Sequence, residues 1–328
     1  MNVNSFSRKV DKNYNLSNKH LFKKKTGNAK EYYQLIFDET LDNDLNVLHE
    51  LYINDVPFKI FGLHTNVYIT DNGYDGLFVD ISPEKDNIEF DDTTKTFKVT
   101  GNVTVSKLVN YAMELGYDFA ALTGIPGFVG SGVVGNSSFT ASGKSFSDFV
   151  DEIIIYDFEI GDTVTIKPDE HFFSERDSFI KRQNKDKTRY FVKEIILKAP
   201  YIGEKLVKEK YDAQMQKREK SLKFGFQEGT AGSLWSNAHL KKELGKSFTK
   251  LLRENSSINC NFNGATYSHN GAMFFTTSIN TTDKDVAKLF DHTIKKIKQL
   301  YGINLHKEVL IIDSDGEIDL ETFIKRNI

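Results

Sequence analysis

Between Leu122 and Gly132 the chain reads LTGIPGFVGSG, four glycines and a proline set among apolar residues. Glycine tolerates positive φ and lets a ligand approach bare backbone, while Pro126 fixes one φ and removes one N–H. Ile125, Phe128, Val129, Val133 and Val134 interleave with the glycines, so the loop is expected to be buried rather than a flexible linker. Two readings stay open on these residues alone: a backbone cradle for a flat aromatic cofactor, or a tight glycine turn that closes a core.

The rest of the chain narrows the setting. Its 328 residues, 39% hydrophobic and 27% charged, describe a soluble globular protein of two or three domains. A formal charge of −3 provides no general basic field, which argues against nucleic acid as a partner. The single Cys260 excludes an intramolecular disulfide, a multi-cysteine metal site and an iron–sulfur cluster. Eight scattered histidines and no HExxH give no expectation of a metal. The N-terminus lacks a signal-peptide core and no window has the length of a membrane span, so a cytoplasmic protein without membrane contact is expected.

Periodicity gives an α+β chain. Leu41, Leu45, Leu48 and Leu51 form one stripe of a helix over 41–53, and strand signals follow at 58–61, 67–70 and 77–81, the last two separated by an Asp71-Asn72-Gly73 turn. A strand at 97–100 precedes a helix marked by Leu108, Val109, Ala112 and Leu115, which Gly116 can end. Strands at 151–159 and 163–166 flank a turn at Gly161, and 190–197 supplies another. The Lys- and Glu-rich stretch from Glu204 to Lys223 reads as a solvated helix or linker and marks a boundary. Beyond it come a helix over 240–252, a strand around 273–277 and a helix over 283–301. In this last helix Val286, Leu289, Phe290, Thr293, Ile297, Leu300 and Tyr301 share a face, Thr282 and Asp285 form a capping box, and Gly302 stops it.

No Walker A loop, GxGxxG or GxSxG is present. What remains is a series of polar motifs: Gly62 to Asn66, Arg176 to Ser178, Ala231 to Asn237 and His306 to Val309. Singly, Arg176 beside Asp177 reads as a surface ion pair, Ser233 as a cap and Glu308 as an exposed strand residue. In order, TGIPGFVGSG followed by Asn136, then ERDS at 175–178, AGSLWSN at 231–237 and KEV at 307–309 resemble the UDP-N-acetylenolpyruvoylglucosamine reductase (MurB) family, with FGLHTN at 61–66 standing where that family carries GGGSN. The likeness covers about Asn15 to Asp313, nearly the whole chain.

The resemblance implies a PCMH-type (VAO-like) FAD-binding domain of two α+β subdomains, 15–82 and 83–200, after an N-terminal extension over 1–14. A linker over 201–223 then leads to a C-terminal α+β substrate domain over 224–328. It implies FAD held by Gly62, Leu63, His64, Thr65, Asn66, Thr123, Gly124, Ile125, Pro126, Gly127, Val129, Gly130, Gly132 and Asn136, with NADPH as co-substrate, a nucleotide-sugar substrate touched by Asn237, and a monomer. Ser233 is then the proton donor, while Arg176 and Glu308 hold the substrate carboxylate and the enolate that develops beside it. A guanidinium suits that task through bidentate donation, and a carboxyl beside an anion must hold or share a proton.

Departures from the pattern cluster at ligand contacts. Leu63 and His64 replace small residues, Glu175 replaces a tyrosine, and Ser236 replaces a lysine, an exchange unfavourable to a diphosphate by roughly 1 kcal/mol per close exposed pair. They motivate two alternatives: a flavoenzyme of this family with another substrate, or a noncatalytic binding protein that keeps the fold. Gly62-Leu63-His64 also resembles a Gly-Gly-His motif through which related flavoproteins attach FAD covalently, so a covalent link at His64 stands beside the noncovalent expectation.

Overall fold

The computed structural model describes residues 5–19, 21–138, 143–230, 232–268 and 274–328, with backbone only over 220–228. Its first elements are β1 (Asp11–Asn15), β2 (Asn28–Leu35), α1 (Leu41–Ile53), β3 (Phe58–Phe61), β4 (Val67–Ile69), β5 (Tyr74–Ile81), β6 (Ile88–Asp91), β7 (Thr96–Thr100), α2 (Val105–Glu114) and α3 (Val129–Val134). There follow β8 (Val150–Asp157), β9 (Asp162–Ile166), β10 (Phe173–Ser174), β11 (Asp177–Ser178), α4 (Phe179–Gln183), β12 (Tyr190–Leu197) and α5 (Glu204–Glu228). The last are α6 (Asn237–Leu244), α7 (Phe248–Glu254), β13 (Thr266–Tyr267), β14 (Phe275–Thr276), α8 (Asp283–Tyr301), β15 (Leu310–Asp313), β16 (Gly316–Ile318) and α9 (Leu320–Asn327). They form two compact units, each drawn from three stretches: Met1–Lys12, Glu31–Leu63 and Gly76–Arg218 in one, Asn13–Lys30, His64–Asp75 and Glu219–Ile328 in the other.

In the first unit α1 buries Leu41, Leu45, Leu48 and Leu51 together with Tyr33 and Leu35 of β2, Phe58 of β3 and Leu77 and Val79 of β5. β3 lies parallel to β5, from Phe58 beside Leu77 to Phe61 beside Asp80. A second, five-stranded sheet has the order β6-β7-β12-β8-β9, with every pairing antiparallel. Against it pack α2, whose Thr104 side chain caps the Lys107 N–H, and the short α3. Two glycines let α3 approach that closely: a Cβ at Gly130 would lie 2.8 Å from the Gly101 carbonyl oxygen, and one at Gly132 would lie 2.4 Å from the Phe146 ring.

In the second unit β15 runs parallel to β4 and antiparallel to β16. Trp235, Tyr267, Phe275, Leu289, Phe290 and Phe323 fill its core. Several of its buried polar groups are bonded to one another: the Trp235 indole N–H donates to the Tyr267 hydroxyl at 2.9 Å, and Asp313 accepts from Thr70 at 2.7 Å and Asn72 at 2.9 Å.

α8 starts and ends where its caps put it, with the Thr282–Asp285 box present and Gly302 left-handed at φ 75°. The stripe outruns the core at its end, where Leu300 is exposed. The single helix expected over 240–252 is two helices, because Gly245 turns left-handed at φ 66° after α6 and Ser247 caps α7. The strand expected around 273–277 is β14, with Met273 outside the described residues. The stretch read as a solvated helix or linker is one helix, α5, which buries Val207 and packs Tyr211 on the core of the first unit.

Candidate functional site

The glycine loop belongs to the first unit. Gly124 and Gly127 take φ values of 72° and 109°, which only glycine adopts at little cost, and the Gly127 carbonyl accepts the first N–H of α2 at 3.1 Å. Ile125 and Val129 turn their side chains into the core, so that only their backbone is available to a ligand, and Pro126 is exposed. Thr123 is 2% exposed, and its hydroxyl finds no hydrogen-bond partner among the described residues. A buried hydroxyl without a partner is costly, which marks the place where a bound group can supply one. Gly130 and Gly132 owe their bareness to packing inside the protein, and so does Gly62, where a Cβ would lie 2.5 Å from the Ser131 hydroxyl. Beside Gly62, Leu63 is half-buried.

Asn136 hydrogen-bonds within the protein through both ends of its amide. Its Nδ2 donates to the Ser174 carbonyl at 2.8 Å and its Oδ1 accepts the Ser147 N–H at 3.0 Å. It thereby holds the β10–β11 hairpin, whose two-residue turn is Glu175-Arg176. Arg176 sits at φ 58°, an unusual value for a long side chain and a form of strain common at functional sites. Lys181 Nζ donates to the Arg176 carbonyl at 2.8 Å and stabilises the turn. Asp177 pairs with Arg182 at 2.7 Å, so the surface ion pair suggested by adjacency is formed with a different arginine. Glu175 is exposed at the tip.

α5 adds a residue that local sequence patterns conceal. Burial and the like charge of Arg176 push the Arg218 guanidinium down to about 10. One turn earlier, the Gln214 Oε1 is buried without a hydrogen-bond partner among the described residues. Val207, Tyr211, Gln214 and Arg218 follow helical spacing along one face, and that spacing was the available signal. A desolvated guanidinium near a second one, with a carbonyl oxygen awaiting a donor, suits a ligand carrying an anion and hydroxyl or amide hydrogens.

The second unit assembles the other expected residues. Glu308 N–H donates to the Leu234 carbonyl at 2.7 Å, Ser236 N–H donates to the His306 carbonyl at 2.8 Å, and Trp235 bridges antiparallel to Lys307. This short ladder sets Leu234 opposite Glu308, with Ser233 the next residue along. From the other side the Asn66 Nδ2 donates to the Glu308 carbonyl at 2.9 Å, and the Leu310 N–H donates to the Asn66 carbonyl at 3.0 Å. One amide N–H of Asn66, a residue expected to touch a cofactor, pins the backbone of Glu308. Thr65 is half-buried, and His64 holds φ 54°, so the left-handed backbone usual for glycine persists there with an imidazole attached.

Asn237 constrains the Ser233 proton. Its Oδ1 accepts the Phe248 N–H at 2.8 Å, and because that donor cannot accept, the opposite atom must be Nδ2, which points at the Ser233 Oγ at a long 3.5 Å. The serine oxygen is thus the acceptor in that contact, and its own hydrogen is directed elsewhere. Ser236 is the N-cap of α6 and accepts the His239 N–H at 3.2 Å, a structural reason for serine at the position where lysine was expected. Among the described residues no group of three or more His, Cys, Asp or Glu could hold a metal, and no helix is long and apolar enough to cross a membrane.

Comparison with known proteins accords with this geometry. Residues 39–167 match the family profile described as FAD binding domain, and residues 224–312 match that of the UDP-N-acetylenolpyruvoylglucosamine reductase C-terminal domain. The UDP-N-acetylenolpyruvoylglucosamine reductase of Thermotoga petrophila is 28% identical over 88% of this chain and 94% of its own length. That of Rickettsia conorii is 28% identical over 91% and 94%. The crystal structure of the reductase from Thermus caldophilus superimposes with a TM-score of 0.70 at 17% identity, over 92% of this chain and 98% of that one, and shares the fold.

Proposed function

This chain belongs to the UDP-N-acetylenolpyruvoylglucosamine reductase (MurB) family, and from that premise we propose that it reduces UDP-N-acetylglucosamine enolpyruvate to UDP-N-acetylmuramate for peptidoglycan synthesis, with noncovalent FAD and with NADPH, as a cytoplasmic monomer. The buried, unpartnered Thr123 hydroxyl on the glycine loop fits a flavin dinucleotide, whose polar atoms complete its hydrogen bonding. Residues 123–132 and the Gly62–Thr65 segment are the backbone that holds it, with Gly124 and Gly127 supplying the positive-φ turns. When bound, the flavin supplies the hydride drawn from NADPH to one carbon of the enolpyruvyl double bond.

The chain's residues manage the charge and the proton. The observation that carries the reading is the ladder that pairs Leu234 with Glu308, which ties the backbone next to Ser233 to that of Glu308. Ser233, with its oxygen accepting from Asn237, donates its hydroxyl hydrogen to the second carbon of the double bond. Arg176 binds the substrate carboxylate and the enolate oxygen that forms beside it, and its positive charge is worth more to the enolate than to the neutral enol ether. Glu308 shares a proton with that oxygen. Arg218 and Gln214 take an anionic group and a hydroxyl or amide N–H of the sugar nucleotide.

Purified protein under anaerobic conditions tests this. NADPH should bleach a stoichiometric flavin and the enolpyruvyl sugar nucleotide should restore its colour, whereas a reduced flavin that this substrate leaves bleached would refute the assignment. Acid precipitation should release all flavin to the supernatant; colour retained in the pellet of the wild-type protein and lost in His64→Ala would instead establish a covalent link at His64.

A further inference from the structure

The ladder that pairs Leu234 with Glu308, one residue along from Ser233, is closed at its far end by two imidazoles. His239 lies in the first turn of α6 and His306 two residues before Glu308, and their rings stack face to face with centroids 3.9 Å apart and planes 10° from parallel. The Nε2 of His239 lies 2.9 Å from the Asn304 carbonyl, and since a carbonyl only accepts, that nitrogen carries the hydrogen. The same α6 turn is tied down by the cap from Ser236, whose own N–H reaches the His306 carbonyl at 2.8 Å. Residues 304–308 are therefore clipped to 234–239 at three successive points: the His239 ring on Asn304 and His306, Ser236 on His306, and Leu234 on Glu308. Beyond α8 the 303–307 segment has no strand of its own, and both Asn304 and His306 are exposed. Ile303 and Leu305 pack partly buried against the core of this unit, and the flat contact between rings adds a second hold on the exposed side of the segment, at His306.

We propose that the His239–His306 stack is a positioning device for the reaction, setting the Glu308 carboxyl relative to Ser233 without touching substrate. The inference rests on the functional reading above, in which Glu308 and Ser233 act on the enolpyruvyl group. Neither histidine belongs to the residues that carry the family resemblance. Its effect should fall on the half-reaction that uses Glu308 and Ser233, the reoxidation of flavin by the enolpyruvyl sugar, and not on reduction by NADPH.

Three substitutions of the holoenzyme separate the contributions. His239→Ala removes ring and donor, His239→Phe keeps a flat ring over His306, and His239→Gln keeps a donor for Asn304. In anaerobic stopped flow, His239→Ala should slow reoxidation about tenfold or more, as a misplacement of order 1 Å does at an active site, with KM for the sugar nucleotide changed less than kcat. Its reduction by NADPH should stay within about twofold of wild type, and His239→Phe should recover reoxidation to within about threefold. Hydrogen exchange at the Glu308 amide should accelerate in His239→Ala and return towards wild type in His239→Phe. Reoxidation unchanged in His239→Ala, or both half-reactions slowed equally at full flavin content, would overturn the proposal. If wild-type protein is not reoxidised by the enolpyruvyl sugar, the functional reading falls. Exchange at Glu308 then decides the clip alone, faster exchange in His239→Ala supporting it and unchanged exchange refuting it.

Discussion

Replacing Ser236 with lysine restores the cation expected beside a diphosphate, yet it should destabilise the second unit. The serine hydroxyl accepts the His239 N–H at 3.2 Å and caps α6, and losing such a cap costs about 1 kcal/mol. A lysine at the same place adds a positive charge at the helix N-terminus, where the macrodipole opposes it, for about 0.5 kcal/mol more. The backbone bond from Ser236 to His306 does not depend on the side chain and should persist. The sum, about 1.5 kcal/mol, corresponds to about 3–6 °C in the melting of a unit of this size. Calorimetry of four proteins checks it. Ser236→Ala should lose about two-thirds of that amount and Ser236→Asp, which can cap, should melt within about 1 °C of wild type. Affinity for the sugar nucleotide can rise in Ser236→Lys by up to about fivefold, the worth of one exposed charge pair. Equal melting of the alanine, aspartate and wild-type proteins would show that the cap contributes nothing and that another cause placed serine there.

Other outcomes follow from single contacts. Thr123→Val should weaken FAD affinity about tenfold while leaving the flavin-free protein as stable or more so, because the valine leaves no orphaned hydroxyl; flavin titration showing unchanged affinity would remove Thr123 from the cofactor site. Gly132→Ala should lower stability by about 1–3 kcal/mol in a denaturant melt, since its Cβ would lie 2.4 Å from the Phe146 ring. Burial pushes the Asp313 carboxyl up, but hydrogen bonds from Thr70, Asn72 and Arg326 outweigh it and hold the group below the usual carboxylate range. With the folded value the lower of the two, its stabilisation is present above the unfolded carboxylate value and is lost as pH falls through the folded one. Asp313→Asn should therefore flatten the acid limb of a stability–pH curve, and an unchanged limb would contradict this.

Local chemistry made some elements readable. The Thr282–Asp285 box and Gly302 fix α8 because caps act within one turn. Gly245 divided an apolar pattern that periodicity alone reads as continuous, since a left-handed cap leaves the spacing of Leu240, Leu251 and Leu252 intact. The motifs around Arg176, Ser233 and Glu308 were visible in sequence, but the work of Asn66 was not: its bond to Glu308 depends on the parallel pairing of β4 with β15, a contact between distant segments. Arg218 was hidden for a similar reason. Its helix is rich in Lys and Glu, so the helical spacing of Val207, Tyr211, Gln214 and Arg218 is a faint signal until the packing of Val207 and Tyr211 marks that face as the buried one. Asn136, expected at the cofactor, also bonds Ser147 and Ser174, contacts between separate segments that no local pattern shows.

The assignment of Ser233 as proton donor is tested most directly by anaerobic stopped flow of Ser233→Ala loaded with FAD. The account predicts flavin reduction by NADPH at a rate close to wild type, followed by reoxidation with the enolpyruvyl sugar nucleotide slowed by at least about a hundredfold. Reoxidation at the wild-type rate, or an equal loss of both half-reactions at full flavin content, would contradict it.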